Sequence, residues 1–323
     1  MDGTAGTTDT AQDENGSSGA AGSAGSAGST PPRWFTEALS TRPSDCSVAV
    51  KGTDIHYLQW GEVGRPALVL VHGGAAHAQW WSFIAPLLTS QYHVIAPDLS
   101  GHGDSGRRAV YAVETWADEI MACVADAAMA PAPILVGHSM GGLVTIAAAN
   151  LYGERLAGAV VIDSPVRRPD PESEEGERGR MFRNPKTYPT AEEAAAHFHL
   201  QPPQPCENDY IVQHIARTSI RSGQAGWTWK FDPRVFQRNR QGIDDYLGAV
   251  RCRIAVFKGQ YSDLVTPDVQ DYIDELLGRS SPIVEIPEAY HHVPLDQPLA
   301  LVAALRAILA DWQHSVPKHA PGA

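Results

Sequence analysis

The sequence predicts an α/β fold in which a mainly parallel central sheet is flanked by helices, with a mostly helical segment inserted between two strands. From about residue 48 onward, short apolar runs of strand length alternate with stretches that are apolar at helical spacing. The strand-like runs are continuously apolar, which indicates strands that are buried on both faces. A parallel sheet covered by helices has this property. The alternation is interrupted once, between residues 165 and 250.

The predicted elements follow in a regular order, beginning with two β-rich runs that suggest a hairpin. The predicted strands are Val48–Val50, Ile55–Gln59, Ala67–Val71, Val94–Ala96, Ile134–Val136, Ala159–Ile162, Ile254–Phe257 and Ile283–Ile286. The predicted helices are Thr115–Met129, Leu143–Leu151, Val269–Leu277 and Leu299–Trp312.

The composition argues against several classes of protein. The 323 residues are 43% hydrophobic, which is enough for a core, yet no apolar run approaches the roughly 18 residues that span a bilayer. The formal charge of −12 argues against a nucleic-acid or membrane partner, because both need clustered Lys and Arg. The four cysteines lack CxxC spacing, so we expect no disulfide scaffold and no zinc site. The chemistry described below implies no metal and no organic cofactor. We expect a cytoplasmic protein that acts on a small molecule.

Composition also divides the chain. Residues 1–32 are mostly Gly, Ala, Ser and Thr with four acids and no base, and they predict a disordered extension. Residues 33–164 and 251–315 are predicted to form the core, and 316–323 a flexible tail. Residues 165–250 contain a run rich in Pro, Arg and Glu, a helical AEEAAAHF and an aromatic GWTWKFDP. They predict a mostly helical lid, since they have few apolar residues for a separate domain.

A sharp turn follows the predicted strand Ile134–Val136. The residues Gly137-His138-Ser139-Met140-Gly141-Gly142 match the G-x-S-x-G pattern and lead into the helix Leu143–Leu151. In this strand–turn–helix setting the pattern lifts a nucleophilic serine out of the sheet. The glycines are needed because side chains beside Ser139 would clash in so tight a turn.

A second small-residue loop, His72-Gly73-Gly74, follows the strand Ala67–Val71. Acyl transfer needs two N–H donors directed at the developing oxyanion. The backbone N–H of Met140, next to Ser139, is one candidate, and that of Gly74 is the other.

A serine nucleophile needs a base, and the base needs an orienting acid. Asp263 and His291 each lie in a loop after a predicted strand, at the edge of the sheet where we expect Ser139. Asp163 also follows a strand, but a role in capping the turn before the next proline fits it better. His292 is the alternative to His291.

Four segments together resemble the serine-nucleophile branch of the α/β-hydrolase superfamily. They are ALVLVHGGAAHAQWW…VIAPDLSGHGDSG, GHSMGG, KGQYSDLVTP and YHHVPLDQP, in the family order. The resemblance covers about Val48 to Trp312 without the lid. It implies Ser139 as nucleophile, Asp263 as acid and His291 as general base.

The resemblance also implies that Gly74 and Met140 supply the oxyanion N–H groups. The family commonly has Gly before the catalytic His, whereas this chain has Tyr290. The spacing to Asp296 still favours His291 as the base.

These features predict a serine hydrolase that cleaves a carboxylic ester, lactone or thioester through an acyl-enzyme. The alternatives are a carbon–carbon bond hydrolase of the meta-cleavage type and, less favoured, a ligand-binding receptor with this fold. We expect the lid to select the substrate. The aromatic candidates for the pocket are Trp80, Trp81, Trp227 and Trp229, although the last two also suit a small core of the lid itself.

Overall fold

The computed structural model describes residues 30–168, 185–237 and 242–314. Its strands are β1 (Ser44–Val50), β2 (Thr53–Trp60), β3 (Ala67–Val71), β4 (His93–Pro97), β5 (Ile134–His138), β6 (Gly158–Ile162), β7 (Ile220–Gly223), β8 (Gly226–Trp229), β9 (Ile254–Gly259) and β10 (Ile283–Ile286). Eight of them form one sheet in the order β1-β2-β4-β3-β5-β6-β9-β10, and β7 and β8 form a separate hairpin. The order is typical of a fold wound outward from a central strand.

The sheet is mainly parallel, as predicted. From β4 to β10 all neighbouring strands run parallel, while β1–β2 and β2–β4 are antiparallel. Every residue of β3, β4, β5 and β6 is buried. The continuous apolar runs therefore have the physical cause that the sequence suggested, since both faces of these strands are covered.

Helices lie on the two faces of the sheet and in the segment between β6 and β9. They are α1 (Arg33–Ser40), α2 (Val113–Asp126), α3 (Met140–Leu151), α4 (Ala191–Ala196), α5 (Asp209–Thr218), α6 (Ile243–Gly248), α7 (Pro267–Leu276), α8 (Val293–Asp296) and α9 (Pro298–His314). The apolar residues of α2, including Trp116, Ile120 and Val124, recur at helical spacing and join one apolar cluster with those of α3 and α7. A second cluster joins α1 and α9.

The chain leaves the main sheet between β6 and β9. The described part of residues 165–250, called the inserted segment below, contains α4, α5, the β7–β8 hairpin and α6. The helix predicted from AEEAAAHF is α4, and GWTW forms β8. Most of the Pro-, Arg- and Glu-rich run lies outside the described residues.

The hairpin predicted at the start of the core is present, and the two predicted terminal segments lie largely beyond what the structure describes. The opening hairpin is β1–β2, with Val50 paired to Thr53. The proposed extension and tail fall largely at residues 1–29 and 315–323, outside the described residues. Within the described ranges, no helix has both the length and the apolar character that crossing a membrane requires.

Candidate active site

Ser139 lies at the turn between β5 and α3. Its backbone has φ 54° and ψ −119°, an unusual conformation for a residue with a side chain and a strained one. A Cβ added to Gly137 would lie 2.3 Å from the carbonyl oxygen of Gly141, and one added to Gly141 would lie 2.4 Å from that of His72. The two glycines are thus required by close backbone approach, as the sequence predicted.

His291 lies between Ser139 and a buried carboxylate. Its Nε2 is 3.0 Å from the hydroxyl oxygen of Ser139, and its Nδ1 is 2.7 Å from Oδ2 of Asp163. Asp163 is fully buried and His291 is 4% exposed. Because a carboxylate only accepts, Nδ1 carries the hydrogen and Nε2 is free to accept from the serine hydroxyl. This polarity is the one that a general base needs.

The structure corrects the predicted acid. Asp263 is exposed on the loop after β9, whereas Asp163 occupies the position beside His291. The cause is strand register: His138, the last residue of β5, pairs with Ile162, the last residue of β6. The next residue of each strand therefore emerges at the same edge, which places Ser139 near Asp163. The sequence offered Asp163 as a strand-end candidate, but the turn-capping role was preferred.

The last residue of β9 and the loop that follows it hold the Asp163 carboxylate. The N–H of Gly259 donates to Oδ1 at 2.9 Å, and the hydroxyl of Ser262 donates to Oδ2 at 2.7 Å. Thus the segment GQYSD contributes to the site through Ser262 and Gly259, and its own aspartate, Asp263, does not accept the hydrogen bond from His291. Sequence reasoning missed this supporting role.

The loop that carries His291 crosses the end of β9. A Cβ on Gly259 would lie 2.2 Å from the carbonyl oxygen of Tyr290, so the close crossing depends on glycine. The side chain of Asp296 accepts the N–H of Tyr290 at 2.8 Å, and Nε2 of His138 donates to the carbonyl oxygen of His291 at 2.9 Å. These contacts fix the loop with the His291 ring facing Ser139, although Tyr290 replaces the usual glycine.

Two further imidazoles lie beside His291 and are held neutral. Burial, reinforced by the nearby His291, lowers the pKa of His138 to about 3. Burial likewise lowers the pKa of His292 well below its ordinary value, and the ring of His292 lies against Trp80 with centroids 5.7 Å apart. Because His291 alone of the two adjacent histidines contacts Ser139, the geometry selects it over His292.

These three imidazoles also have the spacing of a metal site, since one nitrogen from each of His138, His291 and His292 lies within 4.8 Å of the others. Both ring nitrogens of His291 are already hydrogen-bonded to Ser139 and Asp163. A metal ion would have to displace one of those bonds. The rings of His138 and His291 are held by hydrogen bonds that need no ion.

The Gly73–Gly74 loop lies beside Ser139. A Cβ on Gly73 would be 3.3 Å from Cβ of Ser139, and one on Gly74 would be 3.7 Å from Sδ of Met140. As the first residue of α3, Met140 has an N–H without a partner inside the helix. The two predicted donors, Gly74 and Met140, therefore come from chain segments that meet next to Ser139.

His72 orients the Gly73–Gly74 peptide. Its Nε2 accepts the N–H of Leu99 at 3.0 Å, so its Nδ1 carries the hydrogen and donates to the carbonyl oxygen of Gly73 at 2.7 Å. Burial lowers the pKa of His72, which keeps this neutral tautomer. In a trans peptide the C=O and the next N–H point in opposite directions, so fixing the Gly73 carbonyl also fixes the Gly74 N–H.

A cavity of about 270 Å³ begins at Gly74 and extends under the inserted segment. Of the four predicted aromatic residues, Trp80 and Trp229 line it. Trp81 is 1% exposed and belongs to the core under the sheet, so its predicted role in the pocket is wrong. Trp227 does not line the cavity; its backbone pairs with Tyr188 at the edge of the β7–β8 hairpin.

The remaining lining residues come mostly from the inserted segment, which sequence reasoning did not resolve into individual contacts. They are Ala75, Pro185, Lys186, Tyr188, His197, Phe198, His199, Leu200, Gln201, Ser219 and Phe231. Because the run in which several of them lie has no recognisable motif, only the folded chain could identify them.

The fold and the serine turn together define an alpha/beta hydrolase. The model of the alpha/beta hydrolase family matches residues 68–305, which include Ser139, Asp163 and His291. The chain belongs to this family, and it is a hydrolase.

Similarity to individual proteins is more distant. The chain is 23% identical to lipase LipV of Mycobacterium tuberculosis over 266 residues, covering 79% of this chain and 98% of the lipase. It is 33% identical over 123 residues to a dihydrolipoyllysine-residue acetyltransferase component of the acetoin cleaving system of Pseudomonas putida. That match covers 38% of this chain and only 33% of the relative.

Among solved structures, E-2-(acetamidomethylene)succinate hydrolase superposes with a TM-score of 0.73 at 20% identity. The superposition covers 83% of this chain and the whole of that chain (100%). At this level of identity, the likeness shows the shared fold.

Proposed function

We propose that this protein is a serine hydrolase that cleaves a carboxylic ester, lactone or thioester through an acyl-enzyme. The observation that carries the proposal is the hydrogen-bonded series Ser139–His291–Asp163, with distances of 3.0 Å and 2.7 Å. The similarity to a lipase of M. tuberculosis supports ester chemistry. The proposed triad replaces Asp263 of the sequence prediction by Asp163.

In the proposed reaction, Nε2 of His291 takes the hydroxyl proton as the oxygen of Ser139 attacks the carbonyl carbon. The N–H groups of Gly74 and Met140 stabilise the oxyanion that forms. His291 then gives its proton to the departing alcohol or thiol, which leaves the acyl group on Ser139.

Deacylation uses the same groups, with water as the nucleophile and Ser139 as the leaving group. His291 takes a proton from water, the resulting hydroxide attacks the acyl carbon, and the acid product leaves as His291 returns a proton to Ser139. Throughout, the buried carboxylate of Asp163 keeps Nδ1 protonated and stabilises the imidazolium. None of these steps calls on a cofactor.

The proposal extends to the substrate and its setting. A cavity of about 270 Å³ suits a small molecule, and we propose that the inserted segment is the lid that covers it. The four cysteines are free, which supports a cytoplasmic location. The acidic net charge supports the expectation of no nucleic-acid or membrane partner.

The test is a fluorophosphonate probe together with a panel of p-nitrophenyl esters, applied to the wild type and to Ser139→Ala. We expect labelling and turnover by the wild type and loss of both in the variant, with its melting temperature unchanged. Ester hydrolysis that persists in Ser139→Ala would refute the proposal. Labelling without esterase activity, but with cleavage of a vinylogous diketone, would support the carbon–carbon hydrolase instead. No labelling and no turnover would favour the receptor.

A further inference from the structure

The cavity beside Gly74 has an apolar interior and a basic entrance. Trp80, Leu200 and Phe231 line it and are each 7–8% exposed, so they form its buried part. Lys186 and His199 line it as well, but their side chains are exposed. The buried part begins next to the oxyanion loop, and the basic part lies where solvent reaches the cavity.

The lining is also unbalanced in charge. Among the described residues that line the cavity, the basic side chains are Lys186, His197 and His199, and there is no Asp or Glu. The whole chain carries a net charge of −12, so a lining with basic side chains and no acidic ones is the opposite of what its overall composition would give. A group of one charge sign at a cavity entrance favours ligands of the opposite sign.

One of these basic groups is held in place. Nδ1 of His197 donates to the carbonyl oxygen of Glu193 at 2.8 Å, and its ring stacks on Tyr188 with centroids 4.7 Å apart. Nε2 is therefore the ring nitrogen that a ligand would use. Tyr188 lines the same cavity, so the stacked pair forms one wall of its entrance.

We propose that the substrates are esters whose acyl chain ends in a carboxylate, which Lys186, His199 and His197 bind at the cavity entrance. This inference rests on the proposed hydrolysis at Ser139 and adds the substrate class. The acyl carbon would lie at Ser139, the chain would pass the aromatic interior, and its terminal carboxylate would meet the basic group. Lys186 supplies the positive charge and His199 a further hydrogen-bond donor. Nε2 of His197 donates to the carboxylate when that ring is an imidazolium, because its Nδ1–H is already donated to the carbonyl oxygen of Glu193.

The experiment compares two esters that differ only at the end of the acyl chain. They are p-nitrophenyl hexanoate and the p-nitrophenyl monoester of adipic acid, which replaces the terminal methyl by a carboxylate. We expect the wild type to favour the adipate monoester in kcat/KM by about tenfold, the size of one charge-assisted hydrogen bond. The preference should fall as salt is added, because the basic side chains are exposed.

Three variants locate the effect. Lys186→Gln should remove most of the preference by raising KM for the adipate monoester more than KM for the hexanoate, and Lys186→Arg should restore it. Arg217→Gln is the matched control, because Arg217 is an exposed base of the inserted segment that does not line the cavity. Equal kcat/KM for the two esters, or equal loss in Arg217→Gln, would overturn the inference.

These outcomes are separate from the test of the proposed function. If Ser139→Ala abolishes hydrolysis of both esters and the wild type does not discriminate between them, the serine hydrolase stands and the carboxylate site is wrong. If hydrolysis of both survives in Ser139→Ala, the proposed function itself fails.

Discussion

Gln204 of the inserted segment donates its side-chain amide to both carboxylate oxygens of Asp296, at 2.9 and 2.8 Å. The oxygen of the same amide accepts the N–H of His292 at 2.9 Å, and Asp296 accepts the N–H of Tyr290. One side chain of the inserted segment therefore secures the backbone on both sides of His291. The position of that segment and the position of the base are physically linked.

We expect Gln204→Ala to lower kcat about tenfold with little change in KM. The variant loses the hydrogen bonds that hold the His291 loop but no group that lines the cavity, so Gln204 acts as a positioning residue. Steady-state kinetics on one p-nitrophenyl ester measures kcat and KM separately. Gln213→Ala, an exposed glutamine of the same segment on α5, is the control. A change confined to KM would show that Gln204 acts on substrate binding.

The two aspartates give a direct comparison. We expect Asp163→Asn to lower kcat by about 10⁴, because an amide cannot favour the Nδ1–H tautomer of His291 as a carboxylate does. Asp263→Asn should leave kcat unchanged, since Asp263 is exposed and Asp163 already accepts from Nδ1 of His291. Both variants are assayed at one pH with their melting temperatures recorded. A large loss of kcat in Asp263→Asn, with little change in Asp163→Asn, would show that Asp263 is the acid, as the sequence predicted.

The turn at Ser139 should not tolerate a larger residue at Gly141. A Cβ there would lie 2.4 Å from the carbonyl oxygen of His72 and 2.5 Å from that of Val71, so the backbone would have to move. We expect Gly141→Ala to destabilise the protein by about 3 kcal/mol in urea unfolding. It should also remove activity.

The control for that substitution is Gly248→Ala. At Gly248 the nearest atom to an added Cβ is Cδ2 of Leu276 at 3.9 Å, an ordinary contact. Because Gly248 ends α6, alanine there should leave stability unchanged or raise it slightly. Equal destabilisation by the two substitutions would argue against a special requirement at the turn.

The free energy of unfolding should fall in mild acid because His138 is buried in its neutral form. The folded-state pKa is lowered to about 3 from an ordinary 6.5, mainly by burial, so below pH 6.5 the unfolded state takes up a proton that the folded state does not. For this one group, stability then falls by about 2 kcal/mol between pH 7 and pH 5. We expect His138→Asn to lose correspondingly less stability than the wild type over that interval.

Urea unfolding at several pH values checks this expectation. Above pH 7 the difference between wild type and His138→Asn should be constant, and it then reports only the lost hydrogen bond to the carbonyl of His291. A difference that stays constant down to pH 5 would mean that His138 is protonated in the folded state as readily as in the unfolded state.

Much of the fold could be predicted because its signals are local. The run Ala67–Val71 is apolar at every position, and the structure buries every one of its residues. The turn around Ser139 was predictable because a strand, small residues and a helix follow one another within a dozen positions. Trp80 and Trp81 could not be told apart by sequence because they are neighbours in the chain. Only Trp80 lines the cavity, since the 3₁₀ turn that contains them points the two side chains in different directions.

The amino-acid sequence by itself determined the α/β class, the nucleophile turn at Ser139 and the loop that carries His291. The choice of the acid depended on tertiary structure. Asp163 and Asp263 both follow parallel strands, and no local pattern separates them. The pairing of β5 with β6 puts Asp163 at the same sheet edge as Ser139, buried and within 2.7 Å of His291, while the loop after β9 leaves Asp263 in solvent. Strand pairing and the path of the loop that carries His291 set that distance, and both exist only in the folded chain.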